Sequence, residues 1–204
     1  MNSKMITSSE LSEIFSLLSS LYLCRPSRNA LENWKVLLSG DVPDFMLDLK
    51  DALDKIDLKS ERELKDLLWE YTRLFIGPYK LPCPPWESVY TSPKKLLMQD
   101  SYDEVQKSYE KLDLMVNSLD ILPDHIGAEL NFLAVLFQKI NSEPEKRLSY
   151  INIAKNFCDE HLMKWIPQFT RDMEEAANIL FYETLARVTR TFTMTAVRQL
   201  VLLV

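Results

Sequence analysis

Residues 71–90 read YTRLFIGPYKLPCPPWESVY, and the interpretation of the whole chain starts from them. Five of the chain's ten prolines fall within residues 78–93. Because proline fixes φ and lacks an amide donor, this segment is excluded from a helix interior or a central strand. We therefore expect a long ordered loop over residues 77–93. Its aromatic side chains suit either a recognition surface or a plain connector that plugs the core.

Helical patterns surround this loop on both sides. Three capping-box pairs, in which a Ser or Thr stands three residues before a Glu, each precede a helical apolar stripe. They are Thr7 and Glu10, Ser60 and Glu63, and Ser101 and Glu104. No segment alternates between apolar and polar residues with a period of two. The sequence predicts an all-α, single-domain, multi-helix bundle over residues 1–204, with roughly eight to ten helices.

The segment Pro123-Asp124-His125 opens another predicted helix, whose apolar stripe extends to Ile140 and which follows a linker at residues 117–122. His125 and Glu129 are four residues apart and share one helix face. A carboxylate and a histidine at a helix start can bind a ligand, ligate a metal or act as a base. The simpler alternative is that Asp124 is only the N-cap of this helix.

Composition excludes several classes of protein. The net charge of -6 argues against nucleic-acid binding and is compatible with a cationic partner. Three widely spaced cysteines and two histidines form no disulfide framework and no known metal-ligand spacing, so we expect no metal and no cofactor. Neither an export-signal core nor an uncharged stretch long enough for a membrane span is present, so we expect a cytoplasmic protein without stable membrane insertion.

An enzymatic function has little support in the residues. A hydrolase would need Cys83 or Ser88 as nucleophile with His125 as base, and neither a nucleophile elbow nor a glycine-rich oxyanion loop is present. The chain's three scattered glycines cannot form a phosphate-binding loop. We expect a protein that is not an enzyme. A small nucleotide-binding protein or hydrolase that uses Asp124 and His125 stays as the less favoured alternative.

Several ordered motifs together resemble one family, the TorD/DmsD chaperones for molybdoenzyme maturation. The motifs are YTRLFIGP (71–78), PCPPWESVY (82–90), PDHIGAEL (123–130), FCDEHLMKWIPQF (157–169) and FYETLA (181–186). The resemblance covers roughly residues 64–190. In the first 60 residues only generic amphipathic helices are visible, and client preference can be encoded there.

This resemblance implies an all-helical cytoplasmic chaperone, found as a monomer or a domain-swapped dimer. Its partners would be the twin-arginine leader and the catalytic subunit of a dimethyl sulfoxide or trimethylamine N-oxide reductase-type molybdoenzyme. The chaperone would hold this client from export until the client's molybdopterin guanine dinucleotide cofactor is inserted. By matching position, the leader-binding residues would be Pro85, Trp86, Asp124 and His125. Glu87 departs from relatives that have a small residue there.

The chemistry of these residues suits such a leader. The carboxylates of Glu87, Asp124 and Glu129 can accept hydrogen bonds from guanidinium groups. In the loop, Tyr79 can stack on arginine, as can Trp86, and Leu81 can contact the apolar part of the leader. We therefore expect the loop and the Asp124 helix start to be adjacent.

Two further hypotheses follow from the resemblance. His125 protonation would tune arginine binding near pH 6 to 7. Alternatively, the protein is a maturation chaperone of the nitrate-reductase type, which contacts the mature subunit of a client that is not necessarily exported.

Overall fold

The structure is a computed structural model that describes residues 5–114 and 121–203. Within these ranges it contains no β-strand and one isolated antiparallel bridge, between Trp86 and His125. The α-helices are α1 (Ser8–Leu23), α2 (Arg28–Leu37), α3 (Leu47–Asp54), α4 (Glu61–Phe75), α5 (Glu87–Thr91), α6 (Asp100–Glu110), α7 (Ile126–Ser142), α8 (Arg147–Phe157), α9 (Met163–Ala176) and α10 (Leu180–Leu203). Two 3₁₀ turns (Asp44–Met46 and Pro144–Lys146) and a π-helical turn (Cys158–Leu162) complete these elements. The predicted all-α class is confirmed. Residues 117–120 of the predicted linker lie outside the described ranges.

Helix α1 begins as its sequence predicts. The Thr7 amide donates to Glu10 Oε2 at 2.6 Å, and the Glu10 amide donates to Thr7 Oγ1 at 3.2 Å. This reciprocal pair is a complete capping box. Residues at the predicted apolar positions, from Leu11 to Tyr22, are buried.

The other two predicted capping boxes differ from expectation. At α4 the Glu63 amide donates to Ser60 Oγ at 3.3 Å, but the Glu63 carboxylate accepts from the Asp57 amide instead of returning to Ser60. Ser101 does not cap α6, because the helix already begins at Asp100 and Ser101 lies buried inside it. The reason lies in a tertiary contact. The Thr91 hydroxyl donates to Ser101 Oγ at 3.3 Å, so the Ser101 side chain bonds another segment instead of the start of its own helix.

The described residues form two compact units. The first is built from the described parts of Met1–Tyr22, Trp86–Ile166 and Thr193–Val204. Its core includes Phe15, which stacks on Phe137 with ring centroids 5.6 Å apart, and both side chains are fully buried. A buried hydrogen bond from the Ser19 hydroxyl to the Gly127 carbonyl, at 2.7 Å, joins α1 to the start of α7. This unit therefore fixes the Trp86 and Asp124 segments on one core.

The second unit consists of Leu23–Pro85 and Pro167–Phe192. Its core contains stacked aromatic pairs such as Trp34 with Phe181, 6.2 Å apart. Buried Glu70 on α4 accepts two hydrogen bonds from Arg73, both 2.8 Å long, and one from the Asn178 amide at 2.6 Å. The proline-rich loop up to Pro85 thus follows a helix anchored by a partly buried ion pair. This division does not test the single-domain assignment, which stays a prediction.

Membrane spanning is not indicated by the helices. Among the residues that the structure describes, none forms a helix that is both long enough and apolar enough to cross a bilayer.

Candidate functional site

The Trp86 and Asp124 segments meet directly inside the first unit. The Glu87 amide donates to the Asp124 carbonyl at 2.9 Å, and the Ser88 amide donates to Asp124 Oδ2 at 3.1 Å. Next to these bonds, the Trp86 ring meets the His125 ring edge to face, 5.9 Å between centroids. The predicted proximity of the end of the loop and the Asp124 helix start is therefore confirmed for Trp86, Glu87, Asp124 and His125.

His125, rather than Asp124, caps helix α7. Its Nδ1 accepts a hydrogen bond from the Gly127 amide at 3.0 Å, while Asp124 lies one residue before the cap. The prediction that Asp124 is the N-cap was wrong, because its carboxylate is used across 36 residues by the Ser88 amide. Sequence reasoning had no local signal for that partner.

The histidine cap also changes the expected pH behaviour of the site. A ring nitrogen that accepts from a backbone amide has no proton of its own, and a helix N-terminus disfavours a cation. Burial lowers the pKa of His125 from 6.5 to about 4. The cap geometry and the lowered pKa both argue against the hypothesis that His125 titrates near pH 6 to 7. Half-buried His125 presents a neutral ring beside Trp86 in that range.

The three carboxylates predicted to accept guanidinium groups lie inside the unit. Glu87 is 1 % exposed, and Asp124 and Glu129 are fully buried. Burial raises the pKa of Asp124, while its hydrogen bonds from Ser88 oppose that rise. Burial, and next the charge of Glu87, raise the pKa of Glu129 well above its usual range. Their role as direct acceptors from a leader stays a prediction, and the surface of this junction is formed by half-buried Trp86 and His125.

Two buried partners of these carboxylates were missed as site residues. His161 Nδ1 lies 3.0 Å from Glu87 Oε2, and Trp165 Nε1 donates to Glu129 Oε2 at 3.1 Å. Both side chains are almost completely buried. Their four-residue spacing places them on one helix face, and that spacing was the signal in the sequence. With them the junction becomes a buried polar cluster, defined here as Glu87, Asp124, Glu129, His161 and Trp165.

The remaining predicted residues, Tyr79, Leu81 and Pro85, belong to the second unit. Tyr79 is 87 % exposed, Leu81 is half-buried and Pro85 is buried. Gly77, with φ of +95°, makes the turn after α4, and a Cβ there would lie 3.4 Å from the backbone of Tyr79. A side chain at this position would strain the backbone, so glycine directs the chain into the loop.

A surface cavity opens beside Tyr79 within the second unit. It has a volume of about 300 Å³ and is bordered by Trp69, Thr72, Arg73, Gly77, Pro78, Tyr79, Lys80 and Pro82. Trp69 is 73 % exposed, which is unusual for the largest apolar side chain. Sequence reasoning missed Trp69, although it lies off the buried positions of α4. We call this region the aromatic cavity.

Neither nucleophile considered for a hydrolase is available on a surface. Cys83 is buried with its Sγ 3.7 Å from the Leu74 carbonyl, and burial raises the pKa of its thiol. Ser88 is fully buried. Among the described residues, no group of three or more His, Cys, Asp or Glu side chains could hold a metal ion.

Comparison with known proteins then identifies the family. Residues 37–171 match the family described as nitrate reductase delta subunit, which is more than half of the chain. The chain belongs to the nitrate reductase delta subunit family. Its relatives confirm the resemblance to the TorD/DmsD group of redox enzyme maturation proteins within it.

Three relatives illustrate that group. The "Probable Tat proofreading chaperone DmsD" of Haemophilus influenzae is 27 % identical over 180 residues, covering 85 % of this chain and 83 % of the relative. The chaperone protein TorD of Vibrio parahaemolyticus is 25 % identical over 193 residues, covering 88 % and 89 %. The Tat proofreading chaperone DmsD of Salmonella typhi is 31 % identical over 122 residues, covering 59 % and 55 %.

A solved structure supports the fold of this family member. A candidate redox enzyme maturation protein from Archaeoglobus fulgidus superposes with a TM-score of 0.64 at 23 % identity, covering 95 % of this chain and 96 % of that protein. At this identity the likeness concerns the fold alone.

Proposed function

We propose that this protein is a cytoplasmic chaperone that binds the twin-arginine leader of a molybdoenzyme of the dimethyl sulfoxide or trimethylamine N-oxide reductase type. It holds the client from export until the molybdopterin guanine dinucleotide cofactor has been inserted into that client. Relatives that align over most of this chain are named Tat proofreading or TorD chaperones, and these names also support a function without catalysis.

The observation that most directly supports leader binding is the aromatic cavity. Trp69 and Tyr79 expose large, stiff, amphipathic side chains, and both border about 300 Å³ of open space. Such side chains give contact area at low entropic cost and are enriched where proteins bind partners. Arg73 and Lys80 also border the cavity, so it disfavours guanidinium groups. In this proposal the cavity takes the apolar segment of the leader.

Trp86 and His125 form the second contact proposed for the leader, in the first unit. Backbone hydrogen bonds of Glu87 and Ser88 fix the chain next to Trp86, and the Trp86 ring contacts His125 edge to face. A ring positioned in this way suits stacking on a guanidinium group. His125 is neutral at physiological pH and does not repel such a cation. The chain's net charge of -6 favours the approach of a leader with two arginines.

Isothermal titration with leader peptides tests this function. The peptide is the twin-arginine leader of the molybdoenzyme encoded nearest to this chain, alongside the same peptide with both arginines changed to lysine. We expect micromolar or tighter binding of the first peptide and weaker binding of the second, because lysine lacks the planar guanidinium fork. Absence of binding by the wild-type protein to either peptide would refute leader recognition.

Substitutions then locate the contact. We expect Trp69→Ala and Tyr79→Ala each to weaken leader binding about tenfold, because exposed aromatic anchors dominate binding energy. The thermal midpoint should stay within about 2 °C, since neither side chain belongs to the core. The matched control is Leu148→Ala, which removes an apolar side chain that is 67 % exposed on α8. Equal losses with all three variants would remove the aromatic cavity from the proposal.

A second candidate is a maturation chaperone of the nitrate-reductase type that acts on the mature subunit. The family description over residues 37–171 favours it. Pull-down of a catalytic subunit that lacks its leader separates the two candidates. Retention of that subunit, together with no titration of the leader peptide, would favour this second function.

A further inference from the structure

The buried polar cluster contains a histidine, His161, that has no role in the proposed leader contacts. It also caps no helix. His161 is 2 % exposed and lies in the π-helical turn Cys158–Leu162, between α8 and α9. Single π-helical turns are rare, and they occur frequently at functional sites, where they redirect a side chain. Trp165, one turn later, is also fully buried and points at the same cluster.

The partner of His161 is the first residue of helix α5. Its Nδ1 lies 3.0 Å from Glu87 Oε2, and both side chains are at most 3 % exposed. The backbone of Glu87 is fixed as well, because its amide donates to the Asp124 carbonyl at 2.9 Å. Glu87 is therefore held at its backbone and at its carboxylate, by two different segments of the first unit.

Helix α5 depends on these bonds because it is too short to hold itself. It spans only Glu87–Thr91, and its N-cap residue Trp86 makes no side-chain capping bond. An isolated helix of this length is unstable, so its position is set by tertiary contacts. The orientation of Trp86, directly before Glu87, follows from where those contacts place α5.

The cluster also needs a donor at the position of His161. Three carboxylates, from Glu87, Asp124 and Glu129, are buried within it. Burial and next the charge of Glu87 raise the pKa of Glu129 well above its usual range, which favours the neutral form of Glu129 beside Glu87. A buried carboxylate without a hydrogen-bond donor is strongly unfavourable. Glu129 also hydrogen-bonds Glu87, so His161 is one of two side chains that hold this carboxylate. We expect removal of His161 to shift the Glu87 side chain, and Trp86 to shift with it.

We propose that His161 is a positioning residue of the leader site, which acts through Glu87 to hold Trp86 in its binding orientation. The part of this inference that concerns leader affinity rests on the proposed function, in which Trp86 contacts a leader. The placement of Trp86 by His161 is a property of the free protein. His161 itself touches no leader in this arrangement.

The experiment uses fluorine NMR of the full chain labelled with 5-fluorotryptophan. The four tryptophans are Trp34, Trp69, Trp86 and Trp165, and each signal is assigned by a Trp→Phe variant. In His161→Phe the ring volume stays similar but the donor is lost. In His161→Asn the side-chain amide restores a donor near the position of Nδ1.

We expect His161→Phe to shift or broaden the signals of Trp86 and Trp165, while those of Trp34 and Trp69 keep their positions. The same variant should bind the leader peptide about tenfold more weakly, as expected when a residue energetically coupled to the contact residue Trp86 is lost. His161→Asn should restore the Trp86 signal and most of the affinity, which a merely space-filling role of the ring would not produce.

Phe15→Leu serves as the control for lost stability. Phe15 is fully buried in the core of the same unit, stacks on Phe137 and is not a member of the polar cluster. Its substitution lowers stability without removing a donor from Glu87. An unchanged Trp86 signal in His161→Phe, or the same shift in Phe15→Leu, would overturn the positioning role.

The two proposals fail in different ways. If wild-type protein binds no leader peptide, leader recognition is wrong, and the fluorine spectra of the free protein still decide whether His161 positions Trp86. If wild-type protein binds and both His161 variants bind equally well with unchanged spectra, only the positioning role is wrong.

Discussion

The titration of His125 gives the sharpest prediction, because the structure reverses the expectation from sequence. Its Nδ1 accepts from the Gly127 amide at 3.0 Å, and protonation would destroy this bond at the positive end of α7. Burial lowers the pKa from 6.5 to about 4. We expect the imidazole to remain neutral throughout the range from pH 5.5 to pH 8.

The pH dependence of the free energy of unfolding follows from this shift in the pKa of His125. Because the pKa in the folded state lies below that in the unfolded state, the contribution of His125 to stability is fully present above pH 6.5. It is lost as the pH falls toward about 4. Lowering the pH from 8 to 5 should cost about 2 kcal/mol relative to a residue that does not titrate.

Two measurements check this prediction. An NMR titration of ¹³C-labelled histidine, assigned with His125→Asn and His161→Asn, gives the midpoint of His125 directly. Urea unfolding of the wild type and His125→Asn at pH 8 and at pH 5 gives the energy. Asparagine is a good N-cap and does not titrate, so this variant separates the effect of histidine protonation from the effect of losing the cap. The stability difference between the two proteins should change by about 2 kcal/mol in favour of the variant at pH 5.

Leader affinity adds an independent check. The affinity of the wild-type protein for the leader should vary with pH between 5.5 and 8 in the same way as that of His125→Asn. A midpoint for His125 near 6.5, with a stability difference that is the same at both pH values, would refute the reasoning from burial and capping.

Two other predictions concern buried polar groups. Glu70→Ala should lower the free energy of unfolding by about 3 kcal/mol, because it leaves the Arg73 guanidinium without its buried acceptor. The control Glu61→Ala breaks an exposed ion pair and should cost less than about 1 kcal/mol. Equal costs in urea unfolding would show that Glu70 is not the anchor of α4. Ser19→Ala should cost about 1 kcal/mol, since it removes a buried hydrogen bond between α1 and a carbonyl of α7, while Ser108→Ala, whose hydrogen bond on α6 is exposed, should stay within about 0.5 kcal/mol. A neutral Ser19 variant would contradict that account.

Short-range patterns predicted the helices well, since their causes lie within one or two turns. The capping box of Thr7 and Glu10 operates over three residues, and the structure contains both of its bonds. The apolar stripe predicted for α4 is buried at Leu67, Tyr71, Leu74 and Phe75 but not at Leu64 and Leu68, of which Leu68 is 39 % exposed. The failure at Ser101 has the opposite cause, because the partner that occupies its hydroxyl lies in a different segment.

The meeting of the loop end with the start of α7 was predicted, but the individual contacts of the residues there were not. Trp86, Asp124 and His125 meet as expected. His125 rather than Asp124 is the N-cap of α7, because the Asp124 carboxylate accepts a hydrogen bond from the Ser88 amide, 36 residues away in the chain. Glu129 shares a helix face with His125, but helical spacing does not say whether that face meets water or a second buried carboxylate.

The sequence by itself determined the helical class, the position of the proline-rich loop as far as Trp86 and the meeting of that loop with the start of α7. Each of these depends on backbone sterics and on contacts between near neighbours in the chain. The prediction of a loop over all of residues 77–93 was wrong, because Glu87–Thr91 forms helix α5, which tertiary contacts hold. Tertiary structure decided that Glu87 and Glu129 are internal, that Trp69 is exposed and that His161 reaches Glu87. Those outcomes depend on which distant segments pack together, and the free energy of burying a polar group depends on the partner found there.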